Sequence, residues 1–119
     1  MKDVEKLVRL FKALSVDTRV RIVALLRERA LCVGALSARL KVTQGAVSQH
    51  LRVLREAGLV LPEKRGYYVH YRLNKKALYR WREAVERLLE GEEETACPPF
   101  LHEARRGSKR RSGMEKKWK

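Results

Sequence analysis

The most informative stretch of the chain is Thr43-Gln44-Gly45-Ala46-Val47-Ser48-Gln49-His50-Leu51-Arg52-Val53-Leu54-Arg55-Glu56-Ala57. At 100° per residue, Val47, Leu51 and Leu54 fall together on one side of a helical wheel. The opposite side is small or polar and carries Gly45, Ser48, Gln49, Arg52 and Glu56. Thr43 suits an N-cap, and Gly58 stands where a C-cap glycine belongs. The stretch therefore predicts an amphipathic helix with a defined start and end.

The polar side of this helix favours contact with DNA bases. Glutamine can bond adenine in two places in the major groove, and serine can serve either hydrogen-bonding partner. The chain has only two glutamines, Gln44 and Gln49, and both lie here. A recognition helix reads base edges mainly with its N-terminal residues, where Gln44 stands. The alternative is an ordinary amphipathic surface helix, and the flanking sequence has to decide between the two.

Composition limits the classes of protein that fit. A chain of 119 residues predicts one domain, which we place at residues 1–90, followed by a charged tail at 91–119 that is basic from residue 105. The net charge of +14 favours nucleic acid or another anionic partner. We find no membrane-length or signal-peptide run and no catalytic constellation, so we expect a cytoplasmic protein that is not an enzyme and has no membrane partner.

Helical periodicity also precedes the central stretch. Apolar spacing predicts a first helix over residues 3–14, and a second from about Thr18 to Arg29 with Asp17 as its N-cap. A short third helix, Val33 to Leu40, then leads through a tight turn into the stretch at 43–57. A short helix, a turn and a second helix form a helix-turn-helix unit.

After Gly58 the period changes from helical to alternating. Leu59 to Lys64 and Tyr67 to Leu73 predict two strands joined around Arg65-Gly66, and Pro62 favours an edge position for the first. Asn74 can cap a last helix, about Lys75 to Glu90. The predicted fold is mainly α with a small β-hairpin: a winged helix-turn-helix.

At this point the chain resembles the ArsR/SmtB family of bacterial and archaeal repressors. The resemblance covers roughly residues 4–90, and five stretches carry it in the family order: Phe11 to Arg19, Leu31 to Leu36, Gln44 to Leu51, Leu54 to Val60, and Gly66 to Leu73. It implies a homodimer through the first and last helices. It also implies repression of a promoter that is relieved when an effector binds.

The family's effector sites transfer only in part. Its arsenic and lead sensors often carry a Cys-x-Cys pair at the start of the helix-turn-helix, where this chain has Cys32 and Gly34. Its zinc and cobalt sensors carry Asp-x-His and a later His on the last helix. Residues 75–90 contain neither histidine nor aspartate, so we expect no zinc site there.

The winged-helix interpretation assigns the DNA contacts, with a near-palindromic double-stranded operator as partner. The expected contacts are Gln44, Ser48, Gln49 and Arg52 to bases, Gly45 by its backbone to phosphate, and Lys64 and Arg65 from the wing to phosphate or the minor groove. We expect His50 to be partly buried beside the inner face, and His70 to lie on the surface over the wing.

The two cysteines allow more than one interpretation. Cys32 is either a small buried hydrophobe or an effector thiol just before the helix that supports residues 43–57. Cys32 of one subunit and Cys97 of the other could bind a thiophilic metal or metalloid, or form a disulfide. They could equally be unrelated, because connectivity cannot be deduced from sequence.

Two functions remain open. The first is a sequence-specific transcriptional repressor released by a thiol-reactive effector, which would be a soft metal, a metalloid or an oxidant. The alternative is a constitutive architectural DNA-binding protein without an effector. Salt dependence separates them, because only a repressor should prefer its operator to random duplex at physiological salt.

Overall fold

The computed structural model describes residues 2–91, which form five helices and three short strands. The helices are α1 (Lys2–Ala13), α2 (Asp17–Glu28), α3 (Val33–Leu40), α4 (Gln44–Glu56) and α5 (Lys75–Leu89). The strands are β1 (Leu31–Cys32), β2 (Val60–Arg65) and β3 (Tyr68–Leu73). Every predicted helix is present with its ends within one residue of the expected ones. The basic tail from residue 105 lies outside the described residues.

The sheet has one more strand than the sequence predicted. Its order is β1-β3-β2 and both pairings are antiparallel, so the hairpin gains a third strand from the segment before α3. In that added pairing, Leu31 lies opposite Tyr71 and Cys32 lies opposite His70. β2 is an edge strand, as Pro62 predicted. Proline has no backbone N–H to donate, and an edge strand needs ladder hydrogen bonds on one side only.

The start of α2 differs from the prediction. Asp17 is not its N-cap: the capping position is Val16, whose side chain makes no cap hydrogen bond. Asp17 is instead the first helical residue, and its carboxylate lies 3.9 Å from the guanidinium of Arg21 one turn later. An acidic residue in the first turn still favours the helix, because it interacts with the positive end of the helix dipole.

The end of α4 and the start of α5 are joined by hydrogen bonds. Gly58 has φ +80°, and the amides of Gly58 and Leu59 donate to the carbonyls of Arg55 and Leu54, which is the Schellman arrangement. Asn74 Nδ2 donates to the Gly58 carbonyl at 3.0 Å, while Asn74 Oδ1 accepts from the Ala77 amide at 3.3 Å. Asn74 is thus the predicted cap of α5 and also fixes where α4 ends.

The main core lies between the sheet and helices α2, α3 and α4. Its largest fully buried side chains are Ile22, Leu36, Val47, Leu51, Leu54, Leu59 and Val60. The predicted inner face of α4 is confirmed, since Val47, Leu51 and Leu54 are at most 1% exposed. Buried aliphatic side chains of this kind each contribute about 1.5–3 kcal/mol to the free energy of folding. This core holds α4 at a fixed angle.

Helices α1 and α5 form a second layer that is less completely buried. Leu7 of α1 is buried, and the rings of Phe11 and Trp81 meet edge to face with centroids 5.9 Å apart. No residue of α5 is buried. Leu88 and Leu89, at the end of the apolar stripe that α5 carries, are 56% and 76% exposed. The stripe is real, but a single chain covers only part of it.

Across residues 2–91, every helix is too short or too polar to cross a bilayer.

Candidate nucleic-acid interface and thiol site

The first turns of α4 present the polar face that the sequence predicted. Gln44, Gly45, Ser48, Gln49 and Arg52 are all exposed. The hydroxyl oxygen of Thr43 accepts a hydrogen bond from the Ala46 amide at 3.1 Å, which confirms Thr43 as the N-cap. That bond satisfies one of the free amides at the helix start, while Gln44 and Gly45 extend the exposed surface to the helix tip.

The turn between α3 and α4 is held by two local contacts. Lys41 adopts the left-handed conformation with φ 58°, and its amide donates to the Ser37 carbonyl at 2.9 Å. The Ser37 hydroxyl donates to the carbonyl of Val42, which is the next residue along the turn. These bonds fix the angle at which α4 leaves α3, and therefore the direction of its exposed face.

One of the predicted base contacts already has a partner on its own helix. Arg52 Nε donates to Glu56 Oε1 at 3.2 Å, with both side chains about 70% exposed (73% and 69%). An exposed pair at this spacing contributes little to stability. Because breaking the Arg52–Glu56 pair costs little free energy, Arg52 remains available to an external phosphate or base.

The two wing cations differ in their surroundings. Lys64 and Arg65 end β2 and are exposed, but Arg65 lies 3.2 Å from the Glu63 carboxylate, which also lies 3.7 Å from Arg72. Within residues 2–91 Lys64 has no ion-pair partner.

The hairpin turn has a feature that the sequence analysis missed. The turn is Gly66-Tyr67, and Tyr67 is 100% exposed. An aromatic residue directly after a hairpin glycine was the available signal.

Cys32 is half-buried at the junction of β1 and α3, where it is the N-cap residue of α3. A Cβ atom built on Gly34 would lie 4.0 Å from Cys32 Sγ and 3.8 Å from Gln44 Nε2. The thiol and the side chain at the tip of α4 therefore border the same small space. Sequence spacing could not reveal this shared space, because it depends on how α3 and α4 cross.

Of the two histidines among the described residues, the structure agrees with the prediction for one and not for the other. His50 is partly buried, as predicted. The prediction for His70 was wrong: it is half-buried, and its Nδ1 atom is buried without a hydrogen-bond partner among residues 2–91. The physical reason is β1, the strand that sequence analysis missed, which covers this side of β3 and places Cys32 opposite His70.

The metal-ligating residues of the described chain are dispersed. Between residues 2 and 91, no three His, Cys, Asp or Glu side chains come together as a metal group would require. Cys32 has no second thiol at position 34, which is glycine. A soft metalloid prefers several thiolates, so the described part of one chain does not fit it unaided. Cys97, the other candidate thiol, lies outside the described residues.

Comparison with known proteins agrees with this architecture. Residues 17–61 match the model of bacterial regulatory proteins of the arsR family. The arsenic resistance transcriptional regulator ArsR1 of Pseudomonas putida is 36% identical over 104 residues, covering 86% of this chain and 80% of the relative. The transcriptional activator HlyU of Vibrio cholerae is 39% identical over 87 residues, covering 73% of this chain and 81% of the relative.

A solved structure gives the same picture. The ArsR-like transcriptional regulator from Rhodococcus sp. RHA1 superposes with a TM-score of 0.69 at 31% identity, over 74% of this chain and 83% of that one. The fold is a winged helix-turn-helix, as the sequence predicted, and both long relatives are transcriptional regulators. The chain therefore belongs to the ArsR family of bacterial regulatory proteins.

Proposed function

We propose that this protein is a sequence-specific transcriptional repressor that binds double-stranded DNA through α4 and the wing. The observation that carries the proposal is the exposed polar tip of α4 on a helix whose opposite face is fully buried. Gln44, Ser48, Gln49 and Arg52 contact base edges in the major groove. The Gly45 backbone approaches a phosphate, and Lys64 and Arg65 contact phosphate or the minor groove.

The same proposal includes a twofold-symmetric dimer built from α1 and α5. Val4, Val8 and Phe11 form an exposed apolar row on α1, and α5 exposes Leu88 and Leu89. Exposed apolar surface on adjacent helices is typical of an interface. One structural relative, a Mycobacterium bovis protein, is described as a homodimeric winged helix-turn-helix domain. A symmetric dimer would bind a near-palindrome whose half-site centres lie about one turn, ~34 Å, apart.

The effector part of the proposal rests on Cys32. A thiol-reactive effector, either a soft metal or metalloid or an oxidant, acts at Cys32 and displaces the side chain of Gln44, because both border the position of Gly34. Cys97 is the candidate for a second thiol, and the Cys97→Ser variant tests whether the site bridges subunits. An effector releases DNA only if it binds the DNA-free protein more tightly than the DNA-bound protein. By reciprocity, the effector weakens DNA binding by the same factor as DNA weakens effector binding.

Binding to the chain's own upstream DNA tests the first part. Footprinting locates the operator, and titrations then compare operator with random duplex for three proteins. Gln49→Ala should cost about 1–3 kcal/mol on the operator and reduce the preference at one base position, whereas Lys64→Ala should weaken both duplexes and lower the salt dependence. Equal losses on both duplexes with Gln49→Ala would show that Gln49 does not read a base. A wild type without operator preference at physiological salt would establish the architectural alternative.

A second set of titrations tests the thiol. As(III) or an oxidant should weaken operator binding by the wild type but not by Cys32→Ser, and Cys97→Ser should share the defect if the site bridges subunits. The matched gain-of-function variant is Gly34→Cys, which is sterically open because a Cβ there meets nothing nearer than 3.8 Å. It should raise As(III) affinity at least about tenfold by adding a second thiolate. If Cys32→Ser responds like the wild type, Cys32 is a core cysteine.

A further inference from the structure

A cavity of about 280 Å³ lies between α1 and α5, beside the end of α4. Its floor is apolar and consists of Leu7, Leu10, Ala57, Ala77, Trp81 and Ala84. The volume is close to the lower end of the range in which proteins bind small molecules. None of the five exposed apolar residues assigned to the proposed dimer interface (Val4, Val8, Phe11, Leu88 and Leu89) lines it.

The rim of the cavity carries an unusual charge arrangement. Three cationic side chains, Lys6, Arg9 and Arg80, line it together with no acidic residue. All three are exposed, and none makes an ion pair or side-chain hydrogen bond within residues 2–91. Elsewhere on α5, by contrast, Arg82 is paired with Glu86 at 3.3 Å. The rim therefore presents unneutralised positive charge above an apolar floor.

One residue that lines the cavity also carries a hydrogen-bond donor without an acceptor. Trp81 is half-buried, and its indole Nε1 is buried with no partner among the described residues. Leaving a buried donor unsatisfied costs about 1–3 kcal/mol. The ring itself is held against Phe11 by the edge-to-face contact, so the donor is fixed in place. Because the Nε1 atom is closed to solvent, the cavity meets Trp81 as an apolar ring.

We propose that this cavity binds a small organic carboxylate of about ten non-hydrogen atoms in all, with an apolar body and one carboxylate group. The apolar body covers the floor, and the carboxylate meets the cations of the rim. An inorganic anion would leave the floor uncovered, and a neutral molecule would leave the rim unneutralised. The proposal does not depend on DNA binding or on Cys32.

The test uses the full chain with Trp118→Phe, so that Trp81 is the only tryptophan. Benzoate is titrated at constant ionic strength without DNA, and Trp81 fluorescence is followed. A ligand of this size should saturate with a Kd between about 10 µM and 10 mM. Benzamide, which has the same shape without the charge, and inorganic phosphate, which has charge without an apolar body, should each bind at least about tenfold more weakly. Equal affinity for benzoate and benzamide, or no saturation by benzoate, would overturn the proposal.

Variants locate the site. The pair Arg9→Gln and Arg80→Gln, combined in one protein, should weaken benzoate binding about tenfold, since each exposed charge contributes about two- to fivefold. Lys76→Gln removes one charge from an exposed position of the same helix outside the cavity and should leave the Kd unchanged. Trp81→Ala, followed by calorimetry, should weaken binding by removing the largest side chain of the apolar lining. If Lys76→Gln weakens binding as much as the rim variant, the charge effect is nonspecific and the site is refuted.

Discussion

The helix-turn-helix core and the α1/α5 layer are built from helices of similar apolar content, yet one is complete in a single chain and the other is not. Around α4, seven large side chains are less than 2% exposed. Across α5, whose 15 residues include a tryptophan and several leucines, no side chain is buried. A helix that is apolar on a wide stripe must bury that stripe against something.

This difference separates two sources of stability. The core around α4 receives its burial from the chain's own folding, so it can hold the exposed polar face rigidly whether or not a partner is present. In the proposed dimer, the α1/α5 layer gains its remaining burial from association, so its stability should depend on protein concentration. Substitutions in the two regions should therefore change different measured quantities.

The largest effect should come from the core under α4. Leu54→Ala removes a side chain that is 0% exposed and should lower the free energy of unfolding by about 2–5 kcal/mol. Val53→Ala, one residue earlier and 36% exposed, should change it by no more than about 0.5 kcal/mol. Urea denaturation of both variants at equal concentration provides the comparison. Similar losses at the two positions would mean that α4 is not oriented as described.

A charged residue introduced into the α1/α5 layer should weaken dimerisation and leave the core around α4 intact. Leu89→Glu places a carboxylate in the proposed interface and should raise the dimer Kd at least about tenfold, which corresponds to about 1.4 kcal/mol. The control is Val20→Glu on α2, where the replaced side chain is also exposed, at 48%. Sedimentation velocity should show more monomer only for Leu89→Glu. A shift of the same size for Val20→Glu would refute the interface.

The junction between the two regions should show an intermediate effect. Asn74→Ala removes the cap of α5 and the bond to the Gly58 carbonyl, and should cost about 1–2 kcal/mol in unfolding free energy. Asn74→Asp keeps the accepting oxygen but loses the donor, so thermal unfolding should place it between Asn74→Ala and the wild type. A neutral Asn74→Ala would show that these bonds do not hold the junction.

The smallest effect on stability should follow deletion of residues 105–119. The segment carries eight basic residues and one glutamate without apolar periodicity, so its loss should change the unfolding free energy by less than about 0.5 kcal/mol. Affinity for random duplex at low salt should nevertheless fall, because fewer cations displace counterions from the DNA. A large fall in Tm would show that the segment packs on the domain.

Local chemistry explains which parts of this fold were predictable. Periodicity located all five helices. The capping bonds of Thr43 and Asn74 were predicted correctly because each is accepted from the amide three residues later, whereas Asp17 was wrongly predicted as a cap. Strand β1 was missed because two residues are too short to show a period and their pairing with β3 is long-range. The error at His70 followed from that omission.

For the candidate site, the sequence predicted which residues share a helix face but not which elements lie side by side. The exposed face of α4 follows from the helical wheel, so Gln44 and Gln49 could be placed on it from the sequence. The approach of Gln44 to Cys32 across Gly34 depends on the crossing of α3 and α4, and the three-cation rim depends on α1 packing against α5. Sequence patterns describe faces of single elements, whereas both of these features belong to pairs of elements.

Peptide-resolved hydrogen exchange, measured on the wild type and on Leu89→Glu at the same concentration, tests the contrast between the two regions most directly. The account predicts that peptides from Gln44–Glu56 exchange equally slowly in both proteins, because their protection comes from burial within one chain. Peptides from Lys2–Ala13 and Lys75–Leu89 should exchange faster in Leu89→Glu, because their protection comes from the partner copy. Unchanged exchange in α1 and α5, or an equal loss of protection in α4, would contradict it.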